Sequence, residues 1–338
     1  MNKLFLYIVN DATVGVSLAG LTPVEWLIRG AGEIPYRVIS AEEEATAAEG
    51  YRYMAILYPS TPLATADILL DLIKEMGKRG IEGLEIGRGK LLTVAAFYKG
   101  AFPKRRAAHA ALTEITTPRG WSEAERILYR RIAEKSAQNG AIIPDVDNVR
   151  IDARTLLSEG AVVEPYTQIR GSVVGMGARI GCFSEIENAE IGAGAEISRS
   201  VVRDSVIEEG ATVGPFAYIR MQSRIGAGCR VGDFVEIKKS ALGAGTKAAH
   251  LAYVGDAKVG AHTNVGCGTV FANYDGKEKH GSVVGERVFL GANTNLVAPV
   301  TIGNDAYIAA ATTVTEDVPE GALVIGRVRA QNKERKGG

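Results

Sequence analysis

The stretch IEEGATVGPFAYIRMQSRIGAGCRVGDFVEI (Ile207–Ile237) places an aliphatic residue at every sixth position: Ile207, Val213, Ile219, Ile225, Val231 and Ile237. The period extends in both directions. Upstream it runs through Ile151, Leu157, Val163 and Ile169, takes a five-residue step to Val174, and continues through Ile180, Ile186, Ile191 and Ile197. Downstream it returns at Val284, Leu290, Leu296, Ile302, Ile308 and Val314. Glycine often follows the aliphatic residue, as at Gly214, Gly226, Gly232 and Gly291. A six-residue repeat of this kind is one short strand and one turn, with the aliphatic side chain inward, which predicts a parallel β-helix. Arg220 and Lys238 each follow an inward aliphatic and lie three unbroken hexads apart. They are therefore expected on adjacent coils, about 4.8 Å apart at the backbone, where two cations call for an anion between or before them.

The 338 residues carry 39 Lys+Arg against 39 Asp+Glu, with 46% apolar residues. This balance gives no global signal for nucleic acid or a membrane surface. The apolar run Leu4–Val9 is too short for a secretory signal or a span, and three isolated cysteines, Cys182, Cys229 and Cys267, suit a reducing compartment. A cytoplasmic location is the expectation.

Ahead of the repeat, strands are predicted at Leu4–Val9, Tyr53–Tyr58 and Lys90–Tyr98, alternating with helices over Thr22–Gly32 and Thr65–Gly80. This pattern predicts a small parallel α/β layer. A further helix is predicted over Trp121–Gly140, opened by the capping box Ser122/Glu125. The expected organisation is an α/β domain over 1–120, a linker helix over 121–140, and a β-helix domain over 141–338 with a basic tail containing Arg329, Lys333, Arg335 and Lys336.

Two N-terminal segments, LAGLTPVEWLIR (Leu18–Arg29) and LYPSTPLATADILLDLI (Leu57–Ile73), resemble the nucleotidyltransferase domain of sugar-nucleotide pyrophosphorylases. The loop NDATVGVS (Asn10–Ser17) has one glycine and no cation where that family cradles a triphosphate, and Pro59-Ser60 replaces the pair bearing its metal aspartate. Nucleotidyl transfer is expected to be lost, because neither developing phosphate charge nor a metal would be held.

From about residue 141 to 328 the segments VGPFAYIR, VGDFVEIKKSALGAGTKAAHLAYVGDAKVG, NVGCGTVFANYDGKEKH and FLGANTNLVAPVTIG closely resemble the acetyltransferase half of a bifunctional family. Its members are the N-acetylglucosamine-1-phosphate uridyltransferase/glucosamine-1-phosphate N-acetyltransferases. The resemblance implies a left-handed β-helix, a homotrimer with active sites between subunits, and acetyl-CoA as co-substrate with no metal. It places the catalytic base on His250, a residue type suited to general-base work at physiological pH. It places polar groups around the acceptor amine at Glu236, Asn273 and Tyr274. Acceptor binding falls on Arg220, Lys238, Tyr253, Asn264 and Lys279, and acetyl-CoA contacts on Cys267, Ala292, Ala310 and Arg327. Cys267 and Ala292 depart from the residues usual there, alanine and serine, and Met221 replaces a proline. Three other readings are open: acetylation of another phosphorylated amino sugar or a nucleotide sugar, a non-catalytic scaffold or sensor, and a zinc site formed by His250, His262 and His280.

Overall fold

The computed structural model describes residues 3–11, 17–86, 89–93 and 115–332. They fall into two units, Met1–Arg131 and Ile132–Gly338.

In the first unit the apolar strand Leu4–Asn10 lies between Tyr36–Ser40 and Tyr53–Leu57, parallel to both. The strand Gly89–Thr93 then runs antiparallel to Tyr53–Leu57 and forms a hairpin with Gly83–Ile86. The five-stranded sheet is therefore mixed, where strand–helix alternation predicts a parallel layer. The part of the predicted strand over 94–98 lies outside the described residues, as do residues 12–16 of the loop Asn10–Ser17. The helix Pro23–Ala31 starts as its sequence dictates, with proline in its first turn and a capping box between Thr22 and Glu25. Leu27 and Ala31 of that helix join Leu69, Ile73 and Met76 of the helix Ala66–Arg79 in one core with Leu4, Leu6 and Ile8.

The helix predicted over Trp121–Gly140 spans Pro118–Gln138. Because it begins earlier, Ser122 is already inside it and its hydroxyl donates to the Pro118 carbonyl at 3.1 Å. Ser122 is thus no cap. Glu125 instead accepts from the Ala19 amide at 3.4 Å.

In the second unit the hexads close into a left-handed parallel β-helix with three sheets of nine, ten and ten strands. Each strand of two to four residues, those at the two ends excepted, pairs with the strand one coil before and one coil after, so every sheet is a ladder along the axis. The ladder Val213, Val231, Ala248, Val265, Leu290 and Ile308 is in register through five successive pairings. All six point inward and are buried. An aliphatic side chain removed from water in this way contributes roughly 1.5–3 kcal/mol. Ile219, wholly buried between coils, tests the packing: Ile219→Val is expected to cost about 0.5–1.5 kcal/mol in urea unfolding. Unchanged stability would contradict a closely packed coil interior.

Where coils approach most closely a side chain has no room. A Cβ at Gly232 would stand 1.9 Å from the Ala249 carbonyl oxygen of the next coil. Along one corner, by contrast, large apolar side chains face outward: Tyr166, Phe183, Phe216, Phe234 and Leu251 are all more than half exposed. Phe216 and Phe234 stack with ring centres 5.5 Å apart.

Candidate active site

The inward ladder also sorts the chemistry. Two positions after Val231, Ala248, Val265, Leu290 and Ile308 stand Asp233, His250, Cys267, Ala292 and Ala310. Because the inward residues are in register, these five form one column down a corner of the helix. The backbone confirms the stacking farther down: the Asn293 amide donates to the Cys267 carbonyl at 2.7 Å, and the Ala311 amide to that of Ala292 at 2.8 Å. Arg327 completes the column, donating from Nη1 to the Ala310 carbonyl at 2.9 Å. The proposed base and the proposed acetyl-CoA contacts thus share one edge.

His250 ends the strand Lys247–His250, and its backbone pairs with Asp233. Its Nδ1 lies 2.6 Å from Asp233 Oδ1. The hydrogen bond to His250 is the leading cause holding the Asp233 carboxyl below its ordinary range. An ionised carboxylate only accepts, so Nδ1 carries a proton, and in the neutral ring the lone pair is then on Nε2. The imidazole is 55% exposed, so Nε2 is accessible to a substrate.

Three residues beyond His250 the chain enters the next face. Arg220 pairs with Lys238, and Lys238 with Gly255, in consecutive coils. The expected stacking of two cations is present, with carboxylates of the protein itself answering their repulsion. Arg220 donates from Nε and Nη2 to Glu236 Oε1 at 2.9 and 2.7 Å, and its guanidinium lies over the Tyr218 ring. Met221, in the place of the usual proline, puts its sulfur 3.0 Å from Arg220 Nη1. Lys238 Nζ donates to Asp256 Oδ2 at 2.7 Å, with the two side chains only 4% and 11% exposed. Burial disfavours the Lys238 ammonium, but the hydrogen bond it donates to Asp256 and the charge of that carboxylate outweigh this and raise its pKa.

Asp256 also accepts from Asn273 Nδ2, which lies 3.4 Å from the Tyr253 hydroxyl. Gly255 makes this cluster possible: a Cβ there would meet Tyr253 Oη at 2.5 Å and Asn273 Nδ2 at 2.6 Å. Lys279 reaches the same group. Its leading perturbation is the contact with Lys238, which lowers its pKa.

The remaining predicted residues are more dispersed. Asn264 lies on the sheet of His250, paired with Lys247 rather than with the cationic face. Tyr274 is exposed, bridges to the Lys279 backbone, and donates its hydroxyl to the Gly276 carbonyl. Of the tail, Lys333, Arg335 and Lys336 lie outside the described residues. His280 takes Asp275 as its partner at 2.8 Å. Among the described residues no group of three or more His, Cys, Asp and Glu side chains is arranged to hold a metal. The same residues include no helix long and apolar enough to cross a membrane.

Sequence reasoning missed Asp233 and Asp256, the acidic partners of His250 and Lys238. Each is in a Gly-Asp pair and one coil away from its partner in sequence, at 17 and 18 residues. Once the coil length is known, that spacing is the signal.

Known proteins resemble this chain in sequence. Residues 281–316 match the family model "Bacterial transferase hexapeptide (six repeats)". The chain is 48% identical over 214 residues to "Bifunctional protein GlmU" of Geobacillus sp. (strain WCH70), covering 63% of this chain and 47% of that protein. It is 40% identical over 270 residues to the protein of the same name from Clostridioides difficile (strain 630), covering 78% and 57%. These relatives bear out the resemblance to the bifunctional uridyltransferase/acetyltransferase read in the motifs. The chain spans about half the length of the curated relatives it matches. Among solved structures, a Francisella novicida UDP-N-acetylglucosamine acyltransferase aligns over 55% of this chain and 67% of its own, at 20% identity and a TM-score of 0.34.

Proposed function

We propose that this protein transfers the acetyl group of acetyl-CoA to the amine of glucosamine-1-phosphate, giving N-acetylglucosamine-1-phosphate for UDP-N-acetylglucosamine synthesis. The observation behind this reading is the pairing of an oriented, accessible imidazole with a cationic face three residues along the chain. His250 Nε2 takes a proton from the amine as its nitrogen attacks the thioester carbonyl carbon. The C–S bond then breaks, and the departing thiolate takes the proton on. Asp233 is a positioning residue that fixes the tautomer and steadies the imidazolium. Arg220, Lys238, Tyr253 and Lys279 receive the phosphate through charge-assisted hydrogen bonds. Glu236, Asn273, Tyr274 and Asn264 orient the sugar. Acetyl-CoA lies along the column through Cys267, Ala292 and Ala310, with Arg327 at its far end. Ala292 offers no hydroxyl to the developing oxyanion, so backbone N–H groups have that task.

The assembly we propose is a homotrimer with its sites between subunits. Two exposed apolar groups at one corner, Tyr166 with Phe183 and, beyond the coil that carries Arg199 there, Phe216 with Phe234 and Leu251, support it, since exposed apolar surface of this kind marks an association face. An active monomer in sedimentation would contradict this assembly. We assign no uridylyl transfer to the N-terminal unit, where Pro59 and Ser60 supply no metal carboxylate.

Thiol release from acetyl-CoA tests the reading directly. Release is expected with glucosamine-1-phosphate, and kcat/KM for unphosphorylated glucosamine should be lower by roughly tenfold or more, the order of one lost charge-assisted contact. Equal use of both amines would point away from a phosphorylated acceptor. No release, from folded protein that binds no acetyl-CoA, would favour a scaffold.

A further inference from the structure

Beside the acceptor residues the β-helix has a cleft of about 400 Å³ lined by Lys239, Asp256, Lys258, Lys279, Gly281 and Val283, among others. Three chain segments meet there. Lys239 occupies left-handed backbone (φ 47°) where the chain turns out of the strand Glu236–Lys238. Lys258 is on Ala257–Val259, held between Ala241–Leu242 and Ser282–Val284. Lys279 comes from the loop that bridges back to Tyr274.

The charges in this cleft do not balance. Asp256 is its one lining carboxylate, and it already accepts from Lys238 and Asn273. Lys239 reaches only to 3.9 Å from its other oxygen. Among the described residues no carboxylate lies within 4 Å of Lys258 or Lys279. Lys279 also stands against the Lys238 ammonium, the leading cause that lowers its pKa. A concave surface with an excess of one charge concentrates counter-ions, and like charges gathered there are relieved when an anion enters.

We propose that Lys239, Lys258 and Lys279 form a second anion subsite, which takes a phosphate group other than the one held by Arg220 and Lys238. Lys279 borders both subsites. A ligand with two linked phosphates, such as a nucleoside-diphosphate amino sugar, would span them. A separate phosphate ester bound beside the acceptor would use the same three ammonium groups. The link to the acceptor rests on the acetyl-transfer reading; the subsite itself does not.

Calorimetric titration of the full chain with inorganic pyrophosphate, at low ionic strength, tests the subsite. Wild type is expected to bind, and Lys239→Glu/Lys258→Glu to bind roughly tenfold or more weakly, with circular dichroism confirming its fold. Lys258→Gln, which shortens the side chain by one atom and removes one charge, gives the same decision if the double variant is unfolded. Equal affinity in wild type and variants, or no pyrophosphate binding by wild type, overturns the proposal. A kinetic arm identifies the source of the phosphate. If it is the acceptor's own, the ratio of kcat/KM for a nucleoside-diphosphate glucosamine to that for glucosamine-1-phosphate falls roughly tenfold in the variants. If that ratio is unchanged while pyrophosphate binding is lost, the subsite serves a separate ligand. Wild type that releases no thiol with either acceptor defeats the acetyl-transfer reading, while the calorimetry still decides the cleft.

Discussion

His250→Ala is expected to lower kcat for thiol release by about 10²- to 10⁴-fold, the range a positioned general base contributes. The KM for glucosamine-1-phosphate should move by less than about threefold, because the phosphate is held by the cationic face and not by the imidazole. A variant retaining more than about a tenth of wild-type kcat would remove His250 from the chemistry. Asp233 supplies a sharper test of the same step. Its carboxylate accepts from Nδ1 at 2.6 Å, whereas an asparagine amide can turn its NH₂ toward the ring and select the tautomer with the proton on Nε2. Asp233→Asn is therefore expected to lower kcat by roughly 10- to 100-fold, the scale of losing an orienting partner, with little change in KM. Asp233→Glu, which still accepts, should recover part of the loss. A purely structural role for Asp233 would affect both variants alike and would alter KM together with kcat.

The sequence displays the coils more clearly than the contacts between them. Wherever a bulky aliphatic residue holds the sixth position, as from Ile207 to Ile237, the inward face and the register of Arg220 against Lys238 follow from counting. The count fails where the chemistry begins. A five-residue step from Ile237 to Leu242 is followed by Ala248, an inward residue too small to stand out, and later by Phe271, an inward aromatic. With the phase lost, the spacing of Asp233 from His250 and of Asp256 from Lys238 has no meaning. The helix at Pro118–Gln138 shows a related limit: a Ser-x-x-Glu pattern marks a start only if the preceding turn is not itself helical, and here it is. In the first unit, parallel and antiparallel strands of like composition look the same until their connection is seen. The hairpin joining Gly83–Ile86 to Gly89–Thr93 makes that edge antiparallel.

Asp256→Ala is expected to destabilise the β-helix by about 3–5 kcal/mol at neutral pH, the range for removing one member of a buried ion pair. The reason is the place of Lys238, whose side chain is only 4% exposed and has Asp256 as its carboxylate partner at 2.7 Å. Without that carboxylate the ammonium must shed its proton or reorganise the coil, and Asn273 loses its acceptor as well. The pH dependence fixes the sign. Burial opposes ionisation of Asp256, but the Lys238 hydrogen bond and then that of Asn273 outweigh it, so its folded-state pKa lies below the ordinary carboxylate value. A depressed pKa adds stability that is complete above the unfolded value, near ~4, and is lost as pH falls through the folded value. The gap in unfolding free energy between wild type and Asp256→Ala should thus be widest above about pH 5 and narrow as the medium is acidified below about pH 4. Urea titrations across that range measure it. A gap that stays constant with pH would mean that the lost energy is packing around residue 256 and not the ion pair. Because Lys238 also receives the acceptor phosphate in the proposed reaction, KM for glucosamine-1-phosphate should rise in the same variant, joining the stability of the coil to its function through one carboxylate.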